Sequence, residues 1–151
     1  MTPDTIRLRR RGWSMLSTLA VACSLGVLLA ACDHRAMPLA RSVNVGLMKP
    51  ADTTALESAI ERSLAARHWT VKEHTGQKYV AELAEKGHSA TVAVVYDAQS
   101  ARVDYVDSSG LLYEKSPQGE TIHRSYNTWV KNLANDIKTN AAQAAPAAAS
   151  R

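Results

Sequence analysis

The chain contains little cysteine, no phenylalanine and few glycines. Its two cysteines, Cys23 and Cys32, both lie near the N-terminus. If the segment before Cys32 is removed and Cys32 itself is modified, the remaining domain has neither a disulfide framework nor a cysteine nucleophile. The seven glycines form no glycine-rich phosphate-binding loop, and no Gly-x-Ser-x-Gly sequence supplies the nucleophile turn of a serine hydrolase. The motifs that identify several enzyme classes are therefore missing from the sequence.

The positive charge of the chain is concentrated at its N-terminus. The formal net charge is +4, but residues 1–31 contain four arginines and one aspartate, a net of +3. Residues 32–151 therefore carry 14 basic and 13 acidic side chains, a net of +1. Because a nucleic-acid-binding domain presents a basic surface, we expect no nucleic-acid partner. The length of 151 residues, with 46% hydrophobic residues, is typical of one globular domain.

The first 31 residues have the order of features of an export signal peptide. A basic segment, residues 1–11, precedes an apolar segment, residues 15–31. The apolar segment is shorter than the roughly 20 residues of a membrane-spanning helix, and the small residues Ala30 and Ala31 stand immediately before Cys32. We therefore predict a signal peptide over residues 1–31, with cleavage between Ala31 and Cys32. A retained membrane anchor is the alternative.

The four residues Leu29-Ala30-Ala31-Cys32 resemble a bacterial lipobox, in which an aliphatic residue and two small residues precede an invariant cysteine. The resemblance implies that Cys32 receives a diacylglyceryl group, becomes the N-terminal residue and is acylated there, for example with palmitate. Several acyl chains on one residue exceed the two signals that stable anchoring requires. We therefore expect a lipid-anchored protein of the cell envelope that faces the periplasm. Asp33 resembles the inner-membrane retention signal of enteric bacteria, but other proteobacteria use neighbouring positions, so the outer membrane is the alternative.

The remaining chain is predicted to fold as an α+β domain over residues 50–139. Residues 32–49 are interpreted as the lipidated N-terminus and a tether with one short extended piece near Val43, and the alanine-rich residues 140–151 as a disordered tail. The first helix is predicted from Pro50 to Arg67, with a capping box over residues 54–57.

The periodicity of apolar residues predicts the rest of the domain. Strands are predicted over four segments and a final helix over residues 121–138; the strands cover residues 69–74, 78–85, 89–96 and 102–108. The short connections predict an antiparallel four-stranded meander, and therefore a two-layer αββββα sandwich with helices on one face. The other face would carry Val80, Ala93, Val95 and Val106 among polar residues, and we interpret it as a solvated face rather than a binding surface.

Four residues form the candidate binding rim that the sequence predicts: Tyr105, Tyr113, His123 and Asn127. Tyrosine hydroxyls favour a position at the wet edge of a core. His123 and Asn127 are polar and lie beside the apolar stripe of the last helix, where a structural bond to the loop over residues 107–110 is favoured over a role in lining a cleft.

The tryptophans and histidines receive structural interpretations. Trp69 and Trp129 are predicted to be core anchors at the junction of helix and sheet, and the alternative is a ligand-stacking platform. The five histidines show none of the close spacings of a zinc or copper site, so we predict no metal and no cofactor.

Several motifs together resemble a family of small, uncharacterised proteobacterial lipoproteins. They include the lipobox, the alternating segments over residues 79–83 and 88–97, and Ile-His-x-x-Tyr-Asn-x-Trp over residues 122–129. The resemblance covers roughly residues 51–138 and implies an envelope location but no activity. The sequence departs from the family at residues 114–119, which form a longer link into the last helix.

These observations predict a non-catalytic binding or accessory module. It would contact the membrane through the lipid on Cys32 and have an envelope protein as its partner. The alternative is a small-ligand or metal-handling protein, or a hydrolase, with a site near His123 and Asp107 or Asp104.

Overall fold

Two helices and eight strands make up the part of the chain that the structure, a computed structural model, describes. It describes residues 35–47, 50 and 52–144, so the predicted signal peptide, Cys32 and Asp33 lie outside the described residues. In chain order the elements are β1 (Ala36–Pro38), β2 (Ser42–Val45), α1 (Thr53–Ala66), β3 (Thr70–Thr75), β4 (Lys78–Glu85), β5 (His88–Tyr96), β6 (Ala101–Ser109), β7 (Glu114–Ser116), β8 (Gly119–His123) and α2 (Arg124–Ala144).

The predicted α+β class is confirmed. Strands β3 to β6 pair antiparallel with their neighbours in chain order, which is the expected meander. Buried side chains alternate along β4 and β5, and the two helices pack against each other over this face. Trp69, which immediately precedes β3, is 4% exposed. Val71, by contrast, is 43% exposed, because β3 is an edge strand whose register shifts between Val71 and Glu73.

Helix α1 has well-defined ends. Its N-cap is Asp52, whose carboxylate accepts a hydrogen bond from the backbone N–H of Ala55 at 3.1 Å, so the capping box predicted over residues 54–57 is wrong. At the other end His68 adopts a left-handed conformation with φ of 59°. The backbone N–H of Trp69 then donates to the carbonyl of Leu64 at 2.9 Å. This Schellman arrangement turns the chain directly from α1 into β3.

The predicted tether contains two strands instead. β2 pairs with β6 and extends the main sheet to five strands, in the order β2-β6-β5-β4-β3. β1 pairs with β8, which also pairs with β7, and these three strands form a second sheet. The short extended piece expected near Val43 lies in β2, whereas β1 and the pairing of both strands with the domain were not predicted. Strands of three and four residues are too short to show a period of two, and their pairing partners are distant in the sequence.

The last helix is shifted along the chain relative to its prediction. Residues 119–123 form β8, and α2 runs from Arg124 to Ala144 rather than from 121 to 138. Residues 140–144, predicted to be disordered, continue the helix because Ala141 is buried against the core and because alanine has the highest helix propensity. Asn140 also donates from Nδ2 to Oγ of the buried Ser63 at 2.8 Å.

Candidate functional site

Two residues of the candidate binding rim, Tyr105 and Tyr113, lie in a packed cluster. Tyr105 on β6 stacks on Tyr113, with ring centroids 5.3 Å apart and an interplanar angle of 24°. The buried Tyr126 of α2 meets the ring of Tyr105 edge-on at 5.3 Å. The guanidinium carbon of Arg41 lies 5.7 Å from the centre of the Tyr105 ring. The two predicted tyrosines are therefore brought together, but as members of a four-residue stack.

The polar groups of this cluster bind each other. Glu120 on β8 accepts hydrogen bonds from both Nε and Nη2 of Arg41, the first at 2.7 Å, and from the hydroxyl of Tyr113 at 3.0 Å. The hydrogen bond from Arg41 is the main reason why the pKa of Glu120 is lowered. The hydroxyl of Tyr105 lies 2.9 Å from Oγ of Ser108. These contacts connect residue 41, β6 and β8. The hydroxyls of Tyr105 and Tyr113 are therefore hydrogen-bonded within the protein.

Asn127 uses both ends of its amide to hold the chain before β2. Its Oδ1 accepts from the backbone N–H of Ala40 at 3.0 Å, and its Nδ2 donates to the carbonyl of Pro38 at 2.8 Å. The sequence suggested the loop over residues 107–110 as its partner. The partner is instead a segment almost 90 residues away in the chain, which was assigned to the tether.

His123 lies at the junction of β8 and α2. Its backbone N–H donates to the carbonyl of Leu111 at 2.7 Å, and its Nδ1 accepts from the backbone N–H of Ser125 at 3.2 Å. The imidazole therefore caps α2 in its neutral form. Burial is the main cause that lowers the pKa of His123, and the charges of His88, Arg35 and Arg124 act in the same direction.

His123 and Asn127 have separate partners, and neither contacts a carboxylate in the hydrogen bonds described. Asp104, proposed as an alternative partner of His123, accepts from Oγ of Ser42 at 2.6 Å and from Nε of Arg102 at 2.8 Å. Asp107 is exposed on β6, opposite Thr91. Among residues 35–47, 50 and 52–144 there is no group of three or more His, Cys, Asp or Glu side chains that could hold a metal ion.

A second polar cluster joins α1 to the sheet. The hydroxyls of Tyr79 and Tyr96 donate to the carboxylates of Glu61 and Glu57, each at 2.9 Å. Burial, followed by the hydrogen bond to Glu57, raises the pKa of Tyr96 to about 12. His74 stacks on Tyr79, with centroids 3.8 Å apart. These groups fix the position of α1 on the sheet.

The open face of the main sheet is covered by its own polar side chains. Lys72 and Glu82 form an ion pair at 2.7 Å across β3 and β4. Ala93 on this face is only 6% exposed, and Val80 and Val95 are half-buried. Val106, beside the register shift of β5 and β6, is the exposed valine of this face.

A cleft that the sequence did not predict, here called the tryptophan cleft, opens beside the two helices. It has a volume of about 590 Å³ and lies where the end of α1, the residues before β3, the end of β4 and the second and third turns of α2 meet. Its lining residues are Ala66, Arg67, His68, Trp69, Leu83, Ala84, Glu85, Trp129 and Asn132. The volume falls within the range of small-molecule sites, and the lining combines aromatic and aliphatic groups with a few polar ones.

Local structure explains why the cleft forms. The Schellman turn after α1 places His68 and Trp69 at one wall. Trp129 and Asn132 are three residues apart and share one face of α2. Trp69 is buried, as a core anchor should be, whereas Trp129 is only half-buried and contributes its free surface to the cleft. The one residue in the sequence that indicates the cleft is this second tryptophan, which lies beside the buried stripe of α2 rather than within it.

Comparisons with other proteins leave the fold and the cleft to be interpreted from the chain itself. No family model, curated protein or solved structure matches the sequence or the fold. Within the described residues, no helix is both long and apolar enough to cross a membrane.

Proposed function

We propose that this protein is a lipid-anchored lipoprotein of the bacterial cell envelope whose periplasm-facing domain binds a bulky apolar group in the tryptophan cleft without performing chemistry. The observation that carries the binding part of the proposal is the cleft itself, with Trp69 and Trp129 in its walls and a volume of about 590 Å³. Paired aromatic surfaces supply large contact areas at a low cost in conformational entropy, because their side chains rotate about only two bonds.

The cleft is a better candidate than the predicted rim because of what its side chains contact. At the rim, Glu120 accepts hydrogen bonds from Arg41 and Tyr113, and the hydroxyl of Tyr105 is bonded to Ser108. A ligand would have to replace these bonds. In the cleft the guanidinium of Arg67 is held by Asp136, which leaves the apolar surface of Trp129 available to an apolar ligand. An envelope protein that inserts one large side chain is the partner we propose.

The anchoring part of the proposal is supported by the lipobox over residues 29–32. Membrane confinement raises the local concentration of the domain near other envelope components, so a single-cleft interaction of modest affinity is sufficient. The inner membrane is favoured by Asp33, and the outer membrane is the alternative. Metabolic labelling with palmitate tests this part: wild type should incorporate the label and Cys32→Ser should not.

Site-specific photocrosslinking in intact cells tests the cleft. A benzophenone amino acid at Asn132, in the cleft wall, should give one defined adduct that disappears when Trp129→Ala is added. The matched control is the same amino acid at the exposed Lys138 of α2, which should give none. Equal adducts at both positions, or an adduct at Asn132 that survives Trp129→Ala, would reject the cleft as the binding site. A small-molecule ligand would instead appear as a change in the emission of the two tryptophans with no protein adduct.

A further inference from the structure

The chain between the proposed lipid anchor and the folded domain is very short. β1 begins at Ala36, and Arg35 is the first described residue. Three peptide units separate Cys32 from Arg35, and an extended chain covers at most about 3.6 Å per residue, so the two Cα atoms are no more than roughly 11 Å apart. The 18-residue tether that the sequence suggested would have allowed the domain to move away from the membrane. A domain attached this closely must keep the region around Arg35 near the bilayer.

The strand pairing defines which residues lie in that region. Ala36 pairs with His123, and the backbone N–H of His123 donates to the carbonyl of Leu111 at 2.7 Å. Met37 pairs with Ile122 in the same ladder. Residue 35 therefore lies next to residue 124, whereas Leu112, which precedes β7, lies across β8 from β1 at the same end of the three-stranded sheet. We call this end of the sheet the β1 end, and it includes Arg35, Met37, Leu112 and Arg124.

Two apolar side chains of the β1 end are exposed in an unusual way. Met37 is 48% exposed and Leu112 is 61% exposed. Leu112 also has a φ of 52°, in the left-handed region that an aliphatic residue rarely adopts. A strained backbone that places a leucine in solvent points to a function for that side chain.

The charges of the β1 end are positive. Arg35 and Arg124 are exposed, and in the described part of the chain neither is paired with a carboxylate. Glu120, the nearby acid of β8, is already bonded to Arg41. Exposed apolar side chains at the same end of a domain as unpaired arginines are the composition of a surface that lies in an anionic membrane interface.

We infer that the β1 end rests on the membrane that holds the lipid of Cys32, with Met37 and Leu112 among the lipid headgroups and Arg35 and Arg124 against anionic phosphates. The inference rests on the proposed function, because it requires a lipidated Cys32. The anchor and the β1 end together fix the orientation of the domain, whereas a lipid on a long tether would fix only its distance.

A single introduced cysteine tests this orientation, because the mature lipoprotein retains no thiol except Cys32. L112C is labelled with an environment-sensitive fluorophore, and the lipoprotein is reconstituted in vesicles of phosphatidylethanolamine and phosphatidylglycerol. The matched control is V71C, an exposed valine on β3, at the edge of the main sheet opposite β2. M37C is a second test position in case L112C does not fold. Spin-labelled lipids should reduce the emission several-fold at position 112 or 37 and leave position 71 unchanged.

The outcomes separate the two proposals. Acylation is measured by mass spectrometry and membrane attachment by flotation. If the protein is acylated and floats but positions 112 and 37 are quenched no more than position 71, the inference is overturned and the anchoring proposal stands. If Cys32 carries no lipid, both fail. Quenching at position 112 that falls in vesicles of phosphatidylcholine alone, or in the R35Q/R124Q variant, supports the role of the arginines.

Discussion

The guanidinium of Arg67, at the end of α1, donates two hydrogen bonds to the carboxylate of Asp136 on α2, from Nε to Oδ2 at 2.5 Å and from Nη2 to Oδ1 at 3.2 Å. The pair connects the two helices beside the tryptophan cleft. Asp136 is four residues after Asn132, which lies in the cleft wall, so the pair and the wall share one face of α2. The spacing of the helices at the cleft therefore depends partly on this contact.

Breaking this pair should have a small effect on stability. Arg67→Gln is expected to lower the free energy of unfolding by about 0.5 kcal/mol, because both side chains are partly exposed to solvent and salt screens such pairs. A double-mutant cycle with Asp136→Asn, followed by urea denaturation, measures the coupling directly. The coupling should shrink at high salt. Strictly additive single effects would mean that the two side chains do not stabilise each other.

His68 should be replaceable by glycine with a gain in stability. Its φ of 59° is costly for a residue with a Cβ atom and natural for glycine in a Schellman motif. His68→Gly is expected to raise the free energy of unfolding by about 0.5 kcal/mol after the entropic cost of glycine in the unfolded chain. His68→Ala is the control, since it removes the imidazole but keeps the strain. Thermal denaturation distinguishes them, and an equal gain for both variants would contradict the explanation.

The two tryptophans should differ in their contributions to stability. Trp69→Ala is expected to cost about 3–5 kcal/mol, because it leaves a cavity in the core. Trp129→Ala removes a half-buried ring and should cost only about 1–2 kcal/mol. Urea denaturation measures both values. Because the mature domain would contain only these two tryptophans, each variant also isolates the emission of the other. A larger loss for Trp129→Ala than for Trp69→Ala would show that the roles have been assigned the wrong way round.

The stability of the domain should decrease as His123 becomes protonated. The pKa of His123 is lowered in the folded state, so the unfolded state binds the proton more readily. This contribution to stability is complete above the unfolded pKa of about 6.5 and is lost as the pH falls through the lowered folded value. Protonation also removes the Nδ1 acceptor that caps α2.

His123→Asn provides the matched comparison for this pH effect, because asparagine caps a helix without titrating. Urea midpoints between about pH 7.5 and pH 5.5 should fall more steeply for wild type than for the variant. The lowered pKa values of Asp97 and Glu120 act at more acidic pH and do not interfere. Parallel profiles would rule out His123 as the titrating group.

Two buried tyrosines should respond in opposite ways to loss of the hydroxyl. Tyr126 is fully buried, and its hydroxyl has no hydrogen-bond partner among the described residues. Tyr126→Phe should therefore be neutral or stabilise the domain by up to about 1 kcal/mol. Tyr79→Phe should cost about 1 kcal/mol, because it removes the hydrogen bond to Glu61. A clear loss of stability for Tyr126→Phe would reveal a buried water bonded to that hydroxyl.

Elements with a strong local period were predictable. The alternation along β4 and β5 and the apolar stripe of α2 are both visible over two or more repeats, which is why the α+β class and the meander were correct. The N-cap of α1 was missed because Thr54 and Asp52 are both good capping residues, and only the helix geometry chooses between them. The start of α2 was predicted too early because residues 119–123 form a strand that pairs with β1 on one side and β7 on the other.

The location of the predicted site residues was predictable, but their contacts were not. That Tyr105, Tyr113, His123 and Asn127 would lie at the edge of the core followed from their polarity and spacing. What each of them contacts did not, since Asn127 bonds to residues 38 and 40 and Tyr113 to Glu120. The tryptophan cleft requires the ends of α1 and β4 to meet α2, and no short segment contains that information.

Local physical chemistry is sufficient for the class of the domain and the buried faces of its main elements, because propensity and periodicity act between residues close in the chain. Tertiary structure alone decided that β1 and β2 are paired strands and that a cleft opens at Trp129. It also decided that the hydroxyls of Tyr105 and Tyr113 are bonded to groups of the protein itself. Each of these depends on pairs such as Val43 with Val103 or Arg67 with Asp136. Such pairs form only when folding brings distant segments together, and they leave no periodic trace in the sequence of either segment.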